Sequence, residues 1–250
     1  MDLSNQLRAS ILTQNLPPPA TAFLNSLITA RSPPPPLPSL LATAKARILA
    51  ADLTSSAIID ASAMQGLPSD ACSAESRERR LPRPVHVQVL DVENLSLSRW
   101  EQVEEMEAVA RGETTRGREV VRVTAEDDDD NVVEGQTQTQ TQRTTGARNT
   151  AGPKPAGKNA THRLVLQDCK GTKLYALELR RFDTIGVGKT QVGEKILLKT
   201  GTVLARGMVL LEPDKCIILG GKIESWQRMW ADGRLAKLKE EIRQNERQET

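Results

Sequence analysis

Short apolar runs, each bounded by turn-forming residues, fill the second half of the chain and predict β-strands. Runs of roughly four to eight apolar residues between Gly, Pro, Asn or Asp are typical of strands in a small all-β unit. Upstream, Val85, Val87 and Val89 alternate with other side chains and predict a first strand over 85–92. The later runs lie at 164–166, 174–179, 196–198, 203–211 (interrupted at Gly207) and 216–219.

The number and spacing of these runs favour an OB-fold. That fold is a partly open barrel of about five strands, and its long loops are where it usually binds ligands. Roughly seventy residues, 93–161, separate the first run from the second, whereas loops beyond about 15 residues are uncommon inside compact domains. We therefore interpret 93–161 as an insertion that the barrel carries between its first two strands.

The two halves of this insertion differ in character. Ser98 opens a capping-box sequence, and Trp100, Val103 and Met106 then fall on one stripe of a helix. The later half holds an acidic run, Gln-Thr repeats, and then Gly, Pro and Lys. Because such a composition buries too little apolar surface to offset the entropy of ordering, we predict that about 125–160 is disordered.

Three apolar segments separated by prolines precede the barrel. Leu3, Leu7 and Ile11 fall at helical spacing, and two further helical patterns follow. The pattern predicts a three-helix bundle over 1–65 and a polar linker over 66–81. A bundle of this size is marginally stable alone, so we expect it to dock against the barrel or a partner.

The end of the chain is again apolar at helical spacing, with Trp226 and Trp230 on one stripe. We predict a C-terminal helix over 222–247, interrupted or bent near Gly233. The predicted fold is therefore α+β: a small N-terminal three-helix bundle, then a five-stranded OB-fold β-barrel domain over 82–247 that includes the insertion and the C-terminal helix.

Charge and cysteine content exclude several classes of protein. The net charge of +2 argues against a strongly basic coat for nucleic acid. Cys72, Cys169 and Cys216 lie far apart and form no C-x-x-C motif, so we expect no structural zinc and favour a reducing compartment. The chain has no apolar run of about 18 residues and no basic leader before an apolar block, so we expect neither membrane spanning nor secretion.

The sequence contains no recognisable catalytic arrangement. Gly188-Lys189-Thr190 resembles the end of a P-loop, but Asp183 occupies the position where that motif needs a glycine. The acidic run at 127–130 lacks the alternating ligands of a calcium loop. Because paired carboxylates and a nucleophile elbow are also missing, we predict a protein that is not an enzyme and that uses no cofactor, metal or small-molecule substrate.

Single-stranded DNA binding is the alternative function for such a barrel. OB-folds that bind single strands stack bases on aromatic side chains inside a basic groove. The strands here contain two aromatic residues, Tyr175 and Phe182, and either could belong to the core. Basic side chains are scattered among them. The pattern thus favours an interaction module that contacts DNA weakly or indirectly.

Several longer motifs resemble one known family. In the barrel they are LARGMVLLEP at 204–213, LGGKIE at 219–224 and VGEKILL at 192–198. The front of the insertion, 90–119, with its WEQ and GETTRGRE segments, is similar to the fungal branch of the same family. These motifs resemble the family of RecQ-mediated genome instability protein 1, and the N-terminal helices match its helical domain more loosely.

The resemblance implies a non-catalytic subunit of a nuclear complex. In that family the first OB-fold binds topoisomerase III, which acts together with a RecQ-type helicase. The insertion is implied to reach the topoisomerase gate and to modulate its opening during dissolution of double Holliday junctions. The resemblance thus implies roles in DNA repair, homologous recombination and DNA replication. The Gln-Thr-rich half of the insertion matches none of the family motifs, which leaves its part in this role open.

Six residues are candidates for contact with a partner. An apolar stripe on an insertion usually marks an interface, so the stripe in the front half is the first candidate, with packing back onto the barrel as the alternative. Two arginines that follow are candidates for polar contacts to the partner or to DNA phosphates. A lysine that opens an apolar strand is expected at the barrel surface. These residues are Trp100, Val103 and Met106 (stripe), Arg116 and Arg118 (arginines), and Lys195 (strand).

Overall fold

The computed structural model describes residues 2–111 and 160–248, in which three helices precede a sheet and a long helix ends the chain. The helices are α1 (Leu3–Thr13), α2 (Thr21–Thr29), α3 (Leu37–Ala50), α4 (Arg99–Ala110) and α5 (Glu224–Gln248). The strands are β1 (Arg79–Arg80), β2 (Val85–Asn94), β3 (His162–Asp168), β4 (Lys173–Glu178), β5 (Lys195–Leu198), β6 (Val203–Ala205), β7 (Met208–Leu211) and β8 (Cys216–Gly220).

The described strands form one curled sheet in the order β1-β6-β7-β4-β3-β2-β5-β8. Strands β4 and β7 pair in parallel, and the other neighbours pair antiparallel. Strand β2 pairs with both β3 and β5, and its register shifts between Val89 and Asp91.

The predicted α+β fold is confirmed, but the sheet has more strands than the five predicted. One reason is Gly207, whose φ of 76° makes the turn that divides 203–211 into β6 and β7.

Alternation along the strands separates an inner face from an outer face. The inward side chains of β3, β4 and β7 are buried and form one core with Val85, Val87 and Val89 of β2. Full burial of a large aliphatic side chain contributes about 1.5–3 kcal/mol, so this core is the main source of stability of the barrel. The inward residues of β3, β4 and β7 are Leu164, Leu166, Leu174, Ala176, Val209 and Leu211.

The helical bundle docks on the outer side of β2 through polar groups. The buried Gln88 side chain accepts a hydrogen bond from the backbone N–H of Leu53 (3.0 Å) and donates to Asp52 (2.7 Å). His86 Nε2 donates to the backbone carbonyl of Asn15 (2.9 Å). Burial lowers the pKa of His86, which favours the neutral ring in this contact. The bundle predicted from the sequence therefore packs on the barrel.

The segment 66–81, predicted as a linker, packs against the barrel. Leu67 and Leu81 are buried in the barrel core. Asp168, fully buried at the end of β3, accepts a hydrogen bond from the backbone N–H of Leu67 (2.8 Å) and also holds the β3–β4 turn. The segment is mostly polar because its remaining side chains face solvent. Its sequence therefore did not indicate that Leu67 and Leu81 are buried.

Helix α5 runs along the outer side of β2, next to the bundle. Trp230 Nε1 donates to Asp91 (2.6 Å), and Arg234 donates to the backbone carbonyl of Val92 (2.8 Å). The helix is continuous through Gly233, so the predicted interruption there is wrong. A single exposed glycine lowers the stability of a helix by only about 1 kcal/mol. The contacts of Trp230 and Arg234, on either side of Gly233, outweigh that cost.

Two neighbouring glycines allow a direct test of bundle docking. Gly220 and Gly221 both have positive φ (82° and 90°), but a Cβ on Gly221 would lie 2.4 Å from the carbonyl oxygen of Leu49 in α3, whereas one on Gly220 would meet open space. Gly221→Ala should therefore lower the free energy of unfolding by about 1–3 kcal/mol more than Gly220→Ala, because it adds a steric clash to the same backbone strain. Thermal and urea unfolding measure this difference; equal losses would show that α3 does not press on Gly221.

Candidate partner interface

Helix α4, which follows the first barrel strand, is fixed at its start. Ser98 Oγ accepts the backbone N–H of Glu101 (3.1 Å), and the Glu101 carboxylate accepts the backbone N–H of Ser98 (2.7 Å). This is the predicted capping box, and it satisfies amide donors that would otherwise lack partners. Beside it, the backbone N–H of Leu95 donates to the carbonyl of Thr161 (2.9 Å), which joins the two ends of the insertion.

Helix α4 lies against α5 and is held there by charged and polar contacts. The buried Arg234 side chain of α5 donates to Gln102 of α4 (3.1 Å), and Gln102 in turn donates to the backbone carbonyl of Asn94 (3.1 Å). Ion pairs join the helices at both ends of the contact: Arg99 with Glu241 (2.6 Å) and Lys239 with Glu107 (2.5 Å). The helix is therefore anchored to the barrel domain as a rigid part of it.

The predicted apolar stripe is divided by this packing. Val103 is 3% exposed and packs back onto the domain, whereas Trp100 is 59% exposed at the start of the helix. Met106 is half-buried. Packing back onto the barrel, which was the alternative for the stripe, thus applies to Val103, whereas the indole of Trp100 is in solvent. Tryptophan is one of the residue types that are enriched among binding hot spots.

The two arginine candidates, Arg116 and Arg118, lie outside the described residues, as does most of 125–160, the segment predicted to be disordered. The partner contacts of these two arginines and the disorder of about 125–160 therefore stay predictions. The described part of the insertion is its ordered beginning, up to Arg111, and its return at residue 160.

Lys195 is not at the barrel surface, so the prediction that its charge is exposed is wrong. The side chain is fully buried, and its Nζ donates to the backbone carbonyl of Gly193 (2.5 Å). Burial lowers the pKa of Lys195 to about 8, and the nearby Asp52 carboxylate opposes that shift. The prediction failed because β5 is buried on both faces, so its first residue is covered although it is charged.

The outer face of β3, β4, β6 and β7 is a surface that the sequence reasoning missed. The register places Val165 opposite Tyr175, Tyr175 opposite Met208, and Leu177 opposite Leu210, all on the side away from the core. These side chains are half-buried or exposed, and Tyr175 is 46% exposed. The signal was available in the alternation of each strand, but runs such as MVLL are apolar on both faces. We call this surface the outer sheet face; it comprises Val165, Tyr175, Leu177, Leu179, Val203, Ala205, Met208 and Leu210.

The described residues offer little for catalysis or metal binding. Within 2–111 and 160–248, no group of three or more His, Cys, Asp or Glu side chains is placed to hold a metal ion. Cys169 and Cys216 are buried, and burial raises the pKa of each thiol, that of Cys216 to about 11, which disfavours the reactive thiolate. No helix in the described part of the chain is long and apolar enough to cross a membrane.

Comparison with known proteins covers both the bundle and the barrel. Residues 67–234 match the family model described as RMI1, N-terminal OB-fold domain, and residues 11–56 match the model of the RMI1 N-terminal helical domain. The chain is also similar to RecQ-mediated genome instability protein 1 of Schizosaccharomyces pombe, with 25% identity over 169 residues. That alignment covers 65% of the chain and 66% of the relative, so the chain spans just under two-thirds of the relative's length.

Val103 and Trp100 differ in burial, so their replacement by alanine should affect the free energy of unfolding to different extents. Val103→Ala should lower the free energy of unfolding by about 2 kcal/mol, because it removes buried methyl groups and leaves a cavity between α4 and the domain. Trp100→Ala should change it by less than about 0.5 kcal/mol, because the indole is in solvent. Urea unfolding of the two variants tests this; a large loss for Trp100→Ala would mean that the indole is part of the core.

The stability of the fold should depend on pH through Glu194. Burial raises the pKa of Glu194 to about 7, from an ordinary value of 4.5. The folded state therefore holds this proton more tightly than the unfolded state, and stability is lost as pH rises from 4.5 through 7. Glu194→Gln removes this loss, so the variant should gain stability over the native chain across that range and keep a constant advantage above it. Chemical unfolding between pH 4 and 8 measures the difference; a difference that is independent of pH would rule out the raised pKa.

Proposed function

Because the chain belongs to the RMI1 family, as its motifs indicated, we propose that it is a non-catalytic subunit that binds topoisomerase III and a RecQ-type helicase in the nucleus. Family membership supports a scaffold role in genome maintenance, and the relative's name links it to the RecQ pathway. The named partners, the role of the insertion at the topoisomerase gate and the dissolution of double Holliday junctions are part of this proposal.

The observation that carries the proposal is the position of Trp100. It lies 59% exposed on a helix that the capping box, Gln102 and two ion pairs hold in place. A large apolar side chain on a rigid element loses little conformational entropy when it is buried by a partner. Helix α4 also leads directly into the rest of the insertion, so a partner that binds the insertion would meet Trp100.

Single-stranded DNA binding is less well supported as a function of the barrel. Phe182 is 8% exposed and belongs to the core, which leaves Tyr175 as the exposed aromatic residue of the described strands. The Arg163 guanidinium lies 4.6 Å from the centre of the Tyr175 ring and occupies one of its faces. Because base stacking needs free aromatic faces, we propose that any contact of the protein with DNA is weak or made through its partners.

Binding of the full-length protein to its cognate topoisomerase III tests the proposal. The native protein should form a complex in a pull-down with purified components, and Trp100→Ala should raise Kd by about tenfold or more, because the substitution removes an aromatic anchor. Leu12→Ala is the matched control, since Leu12 is an exposed apolar residue (46%) on the helical bundle. Its complex should be as tight as that of the native chain.

The same assay decides against the proposal in two ways. Absence of a complex with the native protein would contradict topoisomerase binding. Tight binding of a labelled single-stranded oligonucleotide by the protein alone, at moderate salt, would favour the DNA-binding alternative.

A further inference from the structure

Four successive prolines join α2 to α3, and the sequence itself sets their conformation. The proline ring fixes φ at about −65°, and a residue that precedes a proline is held out of the helical region. Pro33, Pro34 and Pro35 meet both conditions. The fourth, Pro36, has a φ of −62° and a ψ of 149°, values that belong to polyproline II. Residues 33–36, here called the proline segment, therefore form one turn of polyproline II helix.

The proline segment presents three of its four rings to solvent. Pro33, Pro34 and Pro36 are exposed, whereas Pro35 is half-buried. Because polyproline II repeats every three residues, Pro33 and Pro36 lie on the same edge of the segment. The edge of Pro35 faces the bundle, so the edge with two exposed rings is open to a partner.

The backbone of the proline segment has unused hydrogen-bond acceptors. Proline has no N–H, and within the described part of the chain the carbonyls of the first three prolines accept no hydrogen bond. The carbonyl of Pro36 accepts the N–H groups of Ser39 (3.0 Å) and Leu40 (3.1 Å), which begins α3. A groove that carries hydrogen-bond donors between aromatic rings can therefore bind the segment without breaking a hydrogen bond of the fold.

The proline segment lies at the end of α3 that is remote from the barrel. Helix α3 begins at Leu37, directly after the segment, and meets the barrel at its other end, where the carbonyl of Leu49 lies against Gly221. With a rise of about 1.5 Å per residue, Leu37 and Leu49 are about 18 Å apart along the helix axis. A domain bound to the segment would leave the docking of the bundle on the barrel intact.

A single charged residue accompanies the proline segment. Between Thr29 and Ala44 the sequence contains one charge, that of Arg31. The Arg31 side chain is exposed, and among the described residues no carboxylate lies within ion-pair distance of it. Domains that recognise polyproline II bind it in a groove of aromatic side chains. An acidic side chain at the end of such a groove would pair with Arg31.

A stiff connector between two helices is the alternative role of the proline segment. Such a connector acts through the rigidity of its backbone, so its rings would contact no other molecule. Pro38 provides a comparison within the same stretch of chain. It is also exposed, but it lies in the first turn of α3 and therefore outside the polyproline II helix.

We propose that the proline segment is the docking site of a partner domain that recognises polyproline II, through a groove of aromatic side chains with an acidic side chain beside it. The segment already has the bound conformation, so little conformational entropy is lost on binding. The inference goes beyond the proposed function and is independent of it, because the contact lies on the bundle and involves neither a topoisomerase nor a helicase.

Binding of the full-length protein to the purified SH3, WW and EVH1 domains of the cognate organism tests the inference. At least one of these domains should bind the native protein in isothermal titration calorimetry, and a synthetic polyproline peptide should compete. The double variant Pro33→Ala/Pro36→Ala should raise Kd by about tenfold or more, because it removes both rings of the open edge. Pro38→Ala is the matched control and should leave Kd unchanged.

A charge reversal tests the acidic side chain of the groove separately. Arg31→Glu should raise Kd by about tenfold, because it places like charges together, whereas Lys45→Glu makes the same change at an exposed residue of α3 and should leave Kd unchanged. Thermal unfolding should show that all variants fold like the native chain, because the substituted side chains are exposed. Absence of binding to any of the domains, binding that survives the double substitution, or equal Kd values for Arg31→Glu and Lys45→Glu would overturn the inference.

Discussion

The structure depends on one strand, β2, whose outward polar side chains bond to the helical bundle and to α5. Its inner valines form the barrel core, and its edges pair with β3 and β5. On its outer side, Gln88 bonds the helical bundle, while Asp91 and the Val92 carbonyl bond α5. A buried polar group that loses its partner costs about 1–3 kcal/mol, so these contacts fix where the bundle and α5 can sit.

Fixing α5 on β2 also positions the candidate interfaces. Arg234 of α5 reaches both the backbone of β2 and Gln102 of α4, so α4 is held through the same strand. Trp100 is therefore presented by a rigid support. The proposed recognition requires exposed apolar surface on a rigid support, and Trp100 on α4 shows this feature.

The positions of helices and strands were predicted from the sequence more accurately than which side of each element is buried. The three helices, the capping box at Ser98 and most strands follow from local signals, namely prolines, glycines and apolar spacing, which act within a few residues. Lys195 was misplaced because the cover on the second face of β5 comes from distant parts of the chain. Residues of the MVLL strand could not be assigned to faces either: Val209 and Leu211 are buried, whereas Leu210 is half-exposed. Tertiary contacts determine which face of such a strand is buried, and these contacts cannot be read from a single sequence.

The central claim is that the protein works by presenting exposed apolar side chains to a partner protein. Hydroxyl-radical footprinting with mass spectrometry, in the presence and absence of cognate topoisomerase III, measures the solvent exposure of such side chains directly. The account predicts that oxidation of Trp100 falls in the complex, while oxidation of Leu12, exposed on the bundle, does not change. Unchanged oxidation of Trp100 in a complex that has formed would contradict it.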